Sequence, residues 1–580
     1  MLMKRIIAIV CLIIFSSFLF AEEPTHTIFT VECVINEDAV YSIEVIEKDG
    51  VVFVNHLTFS QIFHSRVLPV VYSKAFSYGI SDYWMKSFSL VMPGNTFAMK
   101  NGAVSKMEAP PFVTDEKIFS PLSYLCSFFN TKYSYSGEKL SLFPETPAED
   151  PLPEPIKQFV QELDKAGFIV AEGNMRQADP VAMFAARYTP DCNGNNAKNP
   201  YVLIQIPPHP KQTFANRLPF SYRLDENEAI VIVGKTPPPC EFFSYRSYLL
   251  NRASFETMTR IKIFASLGDT LNIGNIKKAI NDPDVFNKNI MIISTANQPT
   301  ENMVRNAAKR AGIANETIFT DIIPETLVNM GINPNDDEFL FLHRTTHFKD
   351  EALEEEFLND PGYYIFRVTP KKVIDELYYP IPNLAIRGTG TTEMAYTPVM
   401  EKLQRAIINQ FPDYTHKVLY SSQWLTEGYE AIQKWWNVLG ESRDALYTRT
   451  EDFILDEDDF LVVFGVNHHA SGKSLYSNFS IYGSQYFNGQ GGISNHQYAN
   501  TALDYLPDEV LAEDFYVWFV SRKALEDFDD VLIVPTTPIP YGIPLGHKGF
   551  IGFRSYLEPG TDVGPITAEI MLDRVIHFSK

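Results

Sequence analysis

Asp225-Glu226-Asn227-Glu228-Ala229-Ile230-Val231-Ile232-Val233-Gly234 has a close echo in Asp456-Glu457-Asp458-Asp459-Phe460-Leu461-Val462-Val463-Phe464-Gly465. Each is an acidic turn, then five apolar residues, then a glycine. So short a run, rich in β-branched and aromatic residues between turn signals, reads as a buried strand and not a helix. A second aromatic strand follows each one: Phe242-Phe243-Ser244-Tyr245-Arg246-Ser247-Tyr248 and Leu475-Tyr476-Ser477-Asn478-Phe479-Ser480-Ile481-Tyr482. A third comes later in each half, at Tyr363-Tyr364-Ile365-Phe366-Arg367-Val368 and Tyr516-Val517-Trp518-Phe519-Val520. The pattern predicts two related lobes, 156–392 and 441–580, each with a sheet core. Convergent strand-turn patterning is the alternative.

Working outward, Asn289-Ile290-Met291-Ile292-Ile293-Ser294-Thr295 is a further buried strand, read as part of an insertion in the first lobe. A helix follows it, with Thr300 as N-cap, Met303, Val304, Ala307, Ala308 and Ala311 on its apolar face, and Gly312 closing it. Residues 393–440 are predicted to be a helical connection, with helices over Glu393–Phe411 and Glu427–Leu439. The body is therefore mixed α/β.

Residues 144–155 hold five prolines and four acids, a composition that suits a stiff extended spacer. Before the spacer lie two similar passages. Gly50-Val51-Val52-Phe53-Val54-Asn55-His56-Leu57 and Lys117-Ile118-Phe119-Ser120-Pro121-Leu122 each read as a short strand turning into a short helix. Between them Phe97 to Val104 forms a hairpin with Asn101-Gly102 at the turn. Lys132 to Leu142 forms another. Residues 28–143 thus make a small α+β module. It resembles the copper amine oxidase N-terminal-like domain, most closely in Asn101-Gly102 through Pro110-Pro111 and from Phe119-Ser120-Pro121-Leu122 to Leu142. Val54-Asn55 stands where that family usually has Val-Pro. The resemblance implies an accessory module for surface or partner contact. It does not imply amine oxidation, because neither the Asn-Tyr-Asp/Glu-Tyr quinone setting nor a His-x-His copper pair occurs.

Residues 1–21 read as a signal peptide: Lys4-Arg5, the apolar run Ile6 to Phe20, and a cleavage site after Ala21. An uncleaved anchor is the other reading. Export to the periplasm, the outer surface or the medium follows, with no membrane span after cleavage. The formal charge of −22 and the lack of a basic stripe argue against nucleic acid as a partner. Cys33, Cys126, Cys192 and Cys240 remain after the leader. An oxidising compartment allows three pairings, of which Cys33–Cys126 and Cys192–Cys240 stay within proposed domains. Four buried free thiols are equally compatible with the sequence.

Four segments are candidates for chemistry. Gly465-Val466-Asn467-His468-His469-Ala470-Ser471-Gly472-Lys473-Ser474 resembles a phosphate loop, but its glycine spacing is wrong and a strand follows it. His468 and His469 are its useful groups, and extended backbone would point them to opposite faces. Leu340 to Glu351 places His343 and His347 four apart. On a helix they would chelate a metal, but the segment reads as strand, so no metal site is assigned. Arg387-Gly388-Thr389-Gly390-Thr391-Thr392-Glu393 reads as a helix-entry loop that can cradle an anion. In Gly546 to Leu557, Arg554 and Tyr556 share one strand face. A Gly-x-Ser-x-Gly elbow, a dinucleotide fingerprint and EF-hand spacing are all absent.

Two functions fit. One is an exported binding or envelope-associated protein with an aromatic groove for a small molecule, glycan or envelope component. Tyr245, Tyr248, Tyr476 and Trp518 are its stacking candidates, though they suit a sheet core equally. The other is an extracytoplasmic hydrolase with His468 or His469 as general base and Glu393 as its partner. In the second, Arg344, Arg387 or Arg554 would anchor an anionic substrate, and Arg554 with Tyr556 would line a polar pocket for substrate binding. No cofactor is implied.

Overall fold

The computed structural model describes residues 27–36, 39–63, 65–69, 78–82, 87–100, 103–145, 152–197, 199–216, 218–526 and 528–580. The expected leader, residues 146–151 of the spacer and the Asn101-Gly102 turn lie outside them.

The chain forms two compact units, one mainly from residues before 150 and one from Asp150 to Lys580. In the first, a seven-stranded sheet has the spatial order Thr131–Tyr135, Lys139–Pro144, Phe29–Ile35, Ala39–Lys48, Val51–Asn55, Lys117–Pro121, Phe112–Thr114. The two strand-helix passages pair antiparallel, with Ser120 opposite Val54. The helix His56–Ile62 starts where the Asn55 side chain accepts hydrogen bonds from the backbone N–H groups of Leu57 and Thr58. Phe59, Leu125, Phe128 and Phe129 fill the core beneath.

The second unit holds two large sheets. Strands of the first are β1 (Phe168–Ala178), β2 (Tyr201–Gln205), β3 (Ala229–Lys235), β4 (Cys240–Ser254), β5 (Thr259–Ser266), β6 (Asn289–Thr295), β7 (Ile318–Ile322), β8 (Glu338–Phe348) and β9 (Tyr364–Pro370). Strands of the second are β10 (Thr415–Gln423), β11 (Ala445–Thr450), β12 (Phe460–Val466), β13 (Tyr476–Gly483), β14 (Asn488–Ser494), β15 (Phe515–Ser521), β16 (Val531–Ile533), β17 (Lys548–Tyr556) and β18 (Arg574–Ser579). The first sheet runs β5-β4-β8-β2-β1-β9-β3-β6-β7. The second runs β14-β13-β17-β11-β10-β18-β12-β15-β16. Each strand of the second sheet is the one nine places later, in the same position. Neighbours on these paths pair antiparallel, except the last two strands of each, which are parallel. A two-residue strand adds to each sheet off this path.

Helix α1 (Glu154–Lys165) precedes β1, and α6 (Thr397–Gln410) precedes β10. In between lie α2 (Pro180–Ala185), α3 (Ile273–Ile280), α4 (Gln298–Arg310) and α5 (Glu351–Asn359); α7 (Gly428–Lys434) follows β10. Helix α1 buries Ile156, Phe159 and Leu163 in a core with Val231, Ile293 and Phe366. Helix α6 buries Met400, Leu403 and Ile407 with Phe460, Val462 and Phe578. The three- and four-residue spacing places each set on one helical face. Full burial of each such side chain is worth about 1.5–3 kcal/mol over exposure.

The repeat glycines have a matching use. A Cβ on Gly234 would come within 2.5 Å of the Tyr363 ring, and one on Gly465 would overlap the Asp573 carboxylate. Tyr363 and Asp573 are the residues just before the equivalent strands β9 and β18. The glycines admit these close approaches from the neighbouring strand.

Five expectations are corrected. Tyr363–Val368 does not correspond to Tyr516–Val520: β9 matches β18, and β15 matches β6. Asn289–Thr295 is therefore a strand common to both sheets and not part of an insertion. The helix expected after it is α4, but Asn297 and not Thr300 caps it, through a 2.8 Å bond from the Thr300 N–H. Residues 393–440 are not wholly helical. They contain β10, the middle strand of the second sheet, whose His416, Lys417 and Tyr420 are exposed, so it carries a weak apolar signal. Finally, Glu154 and Pro155 belong to α1 and not to the spacer. Proline in the first turn loses no intrahelical hydrogen bond.

Candidate functional site

The sequence candidates separate into an internal polar knot and a cavity. The knot forms where the β12–β13 loop meets the segment before α6. His468 and Glu393 are both buried, with His468 Nδ1 3.0 Å from both carboxylate oxygens of Glu393. On its other side, Nε2 faces Asp573 Oδ2 at 3.6 Å, within ion-pair range. Glu393 also accepts the Ser471 hydroxyl and the Met571 N–H, the latter at 2.7 Å. Asp573 accepts the Tyr516 hydroxyl at 2.7 Å. Burial alone disfavours the imidazolium, but the Glu393 and Asp573 carboxylates outweigh it and push the His468 pKa up to about 10. Burial would raise the Glu393 pKa, yet His468, Ser471 and the Met571 N–H hold it below the usual carboxylate range.

The glycine-threonine loop beside it does cradle an anion, but the anion is the protein's own. Thr389 N–H and Gly390 N–H donate to the two oxygens of Glu569 at 3.0 and 2.8 Å. Lys473, the lysine of the apparent phosphate loop, joins Glu569 at 2.8 Å and also pairs with Glu558. These bonds, Lys473 foremost, bring the Glu569 carboxyl down to about 2. The cradle is thus already filled.

The expected His468–Glu393 pair forms, but inside the protein and away from the cavities. A histidine that stays protonated up to about pH 10 is no general base at neutral pH, and His468 and Glu393 line none of the cavities described below. His469 turns outward and donates from Nδ1 to the Leu475 carbonyl at 2.8 Å. Arg387 sits apart, bonded to Glu427 (2.9 Å) and to the carbonyls of Gly564 and Ala445, beside a separate cleft that Glu441 shares. His343 and His347 lie on strand β8. His343 is buried against Tyr245, with ring centroids 4.2 Å apart, and burial lowers its pKa to about 3. Four residues of strand span about 13 Å, too far for shared chelation. Among the described residues no group of three or more His, Cys, Asp or Glu side chains is arranged to hold a metal ion.

The other three candidates, Arg344, Arg554 and Tyr556, meet in one cavity of about 100 Å³ between the two sheets. Its apolar wall includes Leu203, Leu250, Phe264, Leu340, Leu342 and Leu439. Arg344 is fully compensated. It pairs with the Asp444 carboxylate and donates to the Ser244 and Ser442 hydroxyls at 2.9 and 3.0 Å. Arg554 is not. Arg554 is 5% exposed, and its guanidinium donates to the Tyr482 hydroxyl and to the Gly194 carbonyl at 2.6 Å. It also lies near the rings of Trp424, Tyr447 and Tyr482, 5.5–5.9 Å from their centroids. No carboxylate pairs with it among the described residues. The Tyr556 hydroxyl accepts amide bonds from Asn196 (3.1 Å) and Asn199 (3.0 Å).

Sequence reasoning missed Asp444, Asp573, Tyr447 and Trp424. Their only local signal is residue type, and the partner in each case lies far along the chain. The stacking candidates Tyr245, Tyr248, Tyr476 and Trp518 are all sheet core, outside the cavity. All four described cysteines are buried free thiols. No helix among the described residues is long and apolar enough to cross a membrane.

No family model and no curated protein matches the chain. Among solved structures, the VPA0106 protein of Vibrio parahaemolyticus aligns with 74% of this chain and 98% of its own. The identity is 11% and the TM-score 0.33, too low to carry any inference.

Proposed function

We propose that the body is an exported receptor for a small anionic molecule, held in the cavity between its two sheets. The observation that supports this is Arg554, a buried guanidinium facing a cavity with only neutral partners among the described residues. Taking a charge out of water costs several kcal/mol unless a counter-charge repays it. Arg344, in the same cavity, has one in Asp444; for Arg554 the ligand supplies it. The aromatic rings around Arg554 offset part of the cost in the empty state. The N-terminal module, with its resemblance to the copper amine oxidase N-terminal-like domain, is read as an accessory to this receptor, without amine oxidase activity. The His468–Glu393 pair that the hydrolase reading expects is present, but it is buried and lines neither cavity named above.

The test is a thermal-shift screen of the full chain against small anions. A ligand at a hundred times its dissociation constant adds about 2.7 kcal/mol of stability. The gain should vanish in Arg554→Gln and persist in His469→Ala. If no anion raises the melting temperature, or if the gain survives Arg554→Gln, the proposal fails.

A further inference from the structure

Because the two sheets repeat one strand order, the strand positions around the two arginines have counterparts. Tyr201 on β2 pairs with Arg344 on β8, and Tyr447 on β11 pairs with Arg554 on β17. On the far side of each arginine strand, Ser244 on β4 lies opposite Arg344 and Asn478 on β13 lies opposite Arg554. The two arginines are thus one residue of the repeat, used twice.

The loops that close over them are exchanged between the sheets. The loop before β11 of the second sheet brings Asp444 and Ser442 onto Arg344 of the first. The loop before β2 of the first sheet brings the Gly194 carbonyl onto Arg554 of the second, and Asn196 and Asn199 onto Tyr556. The repeat breaks at one point. Asp444 stands three residues before Tyr447, and three residues before Tyr201 the sequence has Lys198. Arg344 is paired with a carboxylate of the chain, and among the described residues Arg554 is not.

We infer that the ligand is a carboxylic acid whose carboxylate supplies for Arg554 the counter-charge that Asp444 supplies for Arg344. This rests on the receptor reading above and narrows it. A planar guanidinium fork matches a carboxylate with two parallel N–H···O bonds. Tyr556 accepts two amide hydrogens, and its own O–H has no acceptor among the described residues, so it is placed to donate to the same group. The leucine and phenylalanine wall then takes an apolar tail. The cavity is of the same order as the ~150 Å³ apolar cavity that takes up benzene, so the tail is short: a benzoate or a branched short-chain acid.

The experiment titrates the full chain by calorimetry with benzoate and isovalerate, with their methyl esters, and with inorganic phosphate. The acids should bind at one per chain, and the esters and phosphate at least tenfold more weakly. Arg554→Lys, which keeps the charge and loses the fork, should weaken the acids tenfold or more while keeping the wild-type circular dichroism. Phosphate binding as well as or better than the acids would overturn the carboxylate assignment and leave the anion receptor standing. Esters binding as tightly as acids, or no binding by any probe, would sink both. Acid binding left unchanged by Arg554→Lys would place the carboxylate elsewhere and overturn the inference.

Discussion

His468 and Glu393 meet side chain to side chain in the interior, 75 positions apart in the chain, with Asp573 on the far face of the imidazole. The contact ties the β12–β13 loop to the segment that enters α6. Breaking a buried ion pair leaves an uncompensated charge, which costs about 3–5 kcal/mol. His468→Ala should lower the stability of the body by that order in urea unfolding. Anion binding, measured well below the melting temperature, should be unchanged.

The same group sets an alkaline limit. Free histidine titrates near 6.5, and His468 in the folded chain near 10. Between these values the folded protein holds a proton that the unfolded chain has lost. The contribution is therefore complete below about pH 6.5 and declines as pH rises through 10. Urea midpoints at pH 6, 8 and 10 should fall in the wild type, with a shallower fall in His468→Ala.

Glu441 acts at lower pH. Burial, first of all, pushes its carboxyl up to about 7, with Arg387 opposing and Glu427 reinforcing the shift. The folded chain then keeps a proton between about pH 4.5 and 7 that the unfolded chain releases, so stability falls as pH rises across that window. Glu441→Gln should flatten the profile there and be the more stable protein at pH 8.

Gly465→Ala should destabilise the body by about 1–3 kcal/mol, because the added methyl group collides with Asp573. Gly234→Ala should do the same against Tyr363. Equal effects in denaturant melts would confirm that the two glycines serve one purpose.

Burial raises the thiol of Cys33 to about 11 and those of Cys126 and Cys192 to about 12. A thiol-labelling reagent at pH 8 should therefore leave Cys33, Cys126, Cys192 and Cys240 untouched in the native protein and modify all four in denaturant. Peptide mapping of the labelled sites checks this. Recovery of any disulfide-linked pair would contradict the free-thiol state.

What the sequence alone determined was local. The acidic turns, the five-residue apolar runs and the glycines of 225–234 and 456–465 mark two equivalent strands, because turn chemistry and burial pattern act over a few residues. Arg344, Arg554 and Tyr556 were also recognisable as binding candidates by residue type. Tertiary structure alone decided which strands are neighbours, because pairing closes loops of tens to hundreds of residues and leaves no mark on strand composition. That is why strand composition alone aligns β15 with β9 and not with β6, and why β10, with only Leu419 and Ser421 buried, carries no clear strand signal. It also decided what each charge does. Glu393 and His468 are as plausible in sequence for catalysis as Arg344 and Arg554 are for binding. The fold buries the first pair against Asp573, fills the 387–393 cradle with Glu569, and gives Arg344 a carboxylate while, among the described residues, giving Arg554 none.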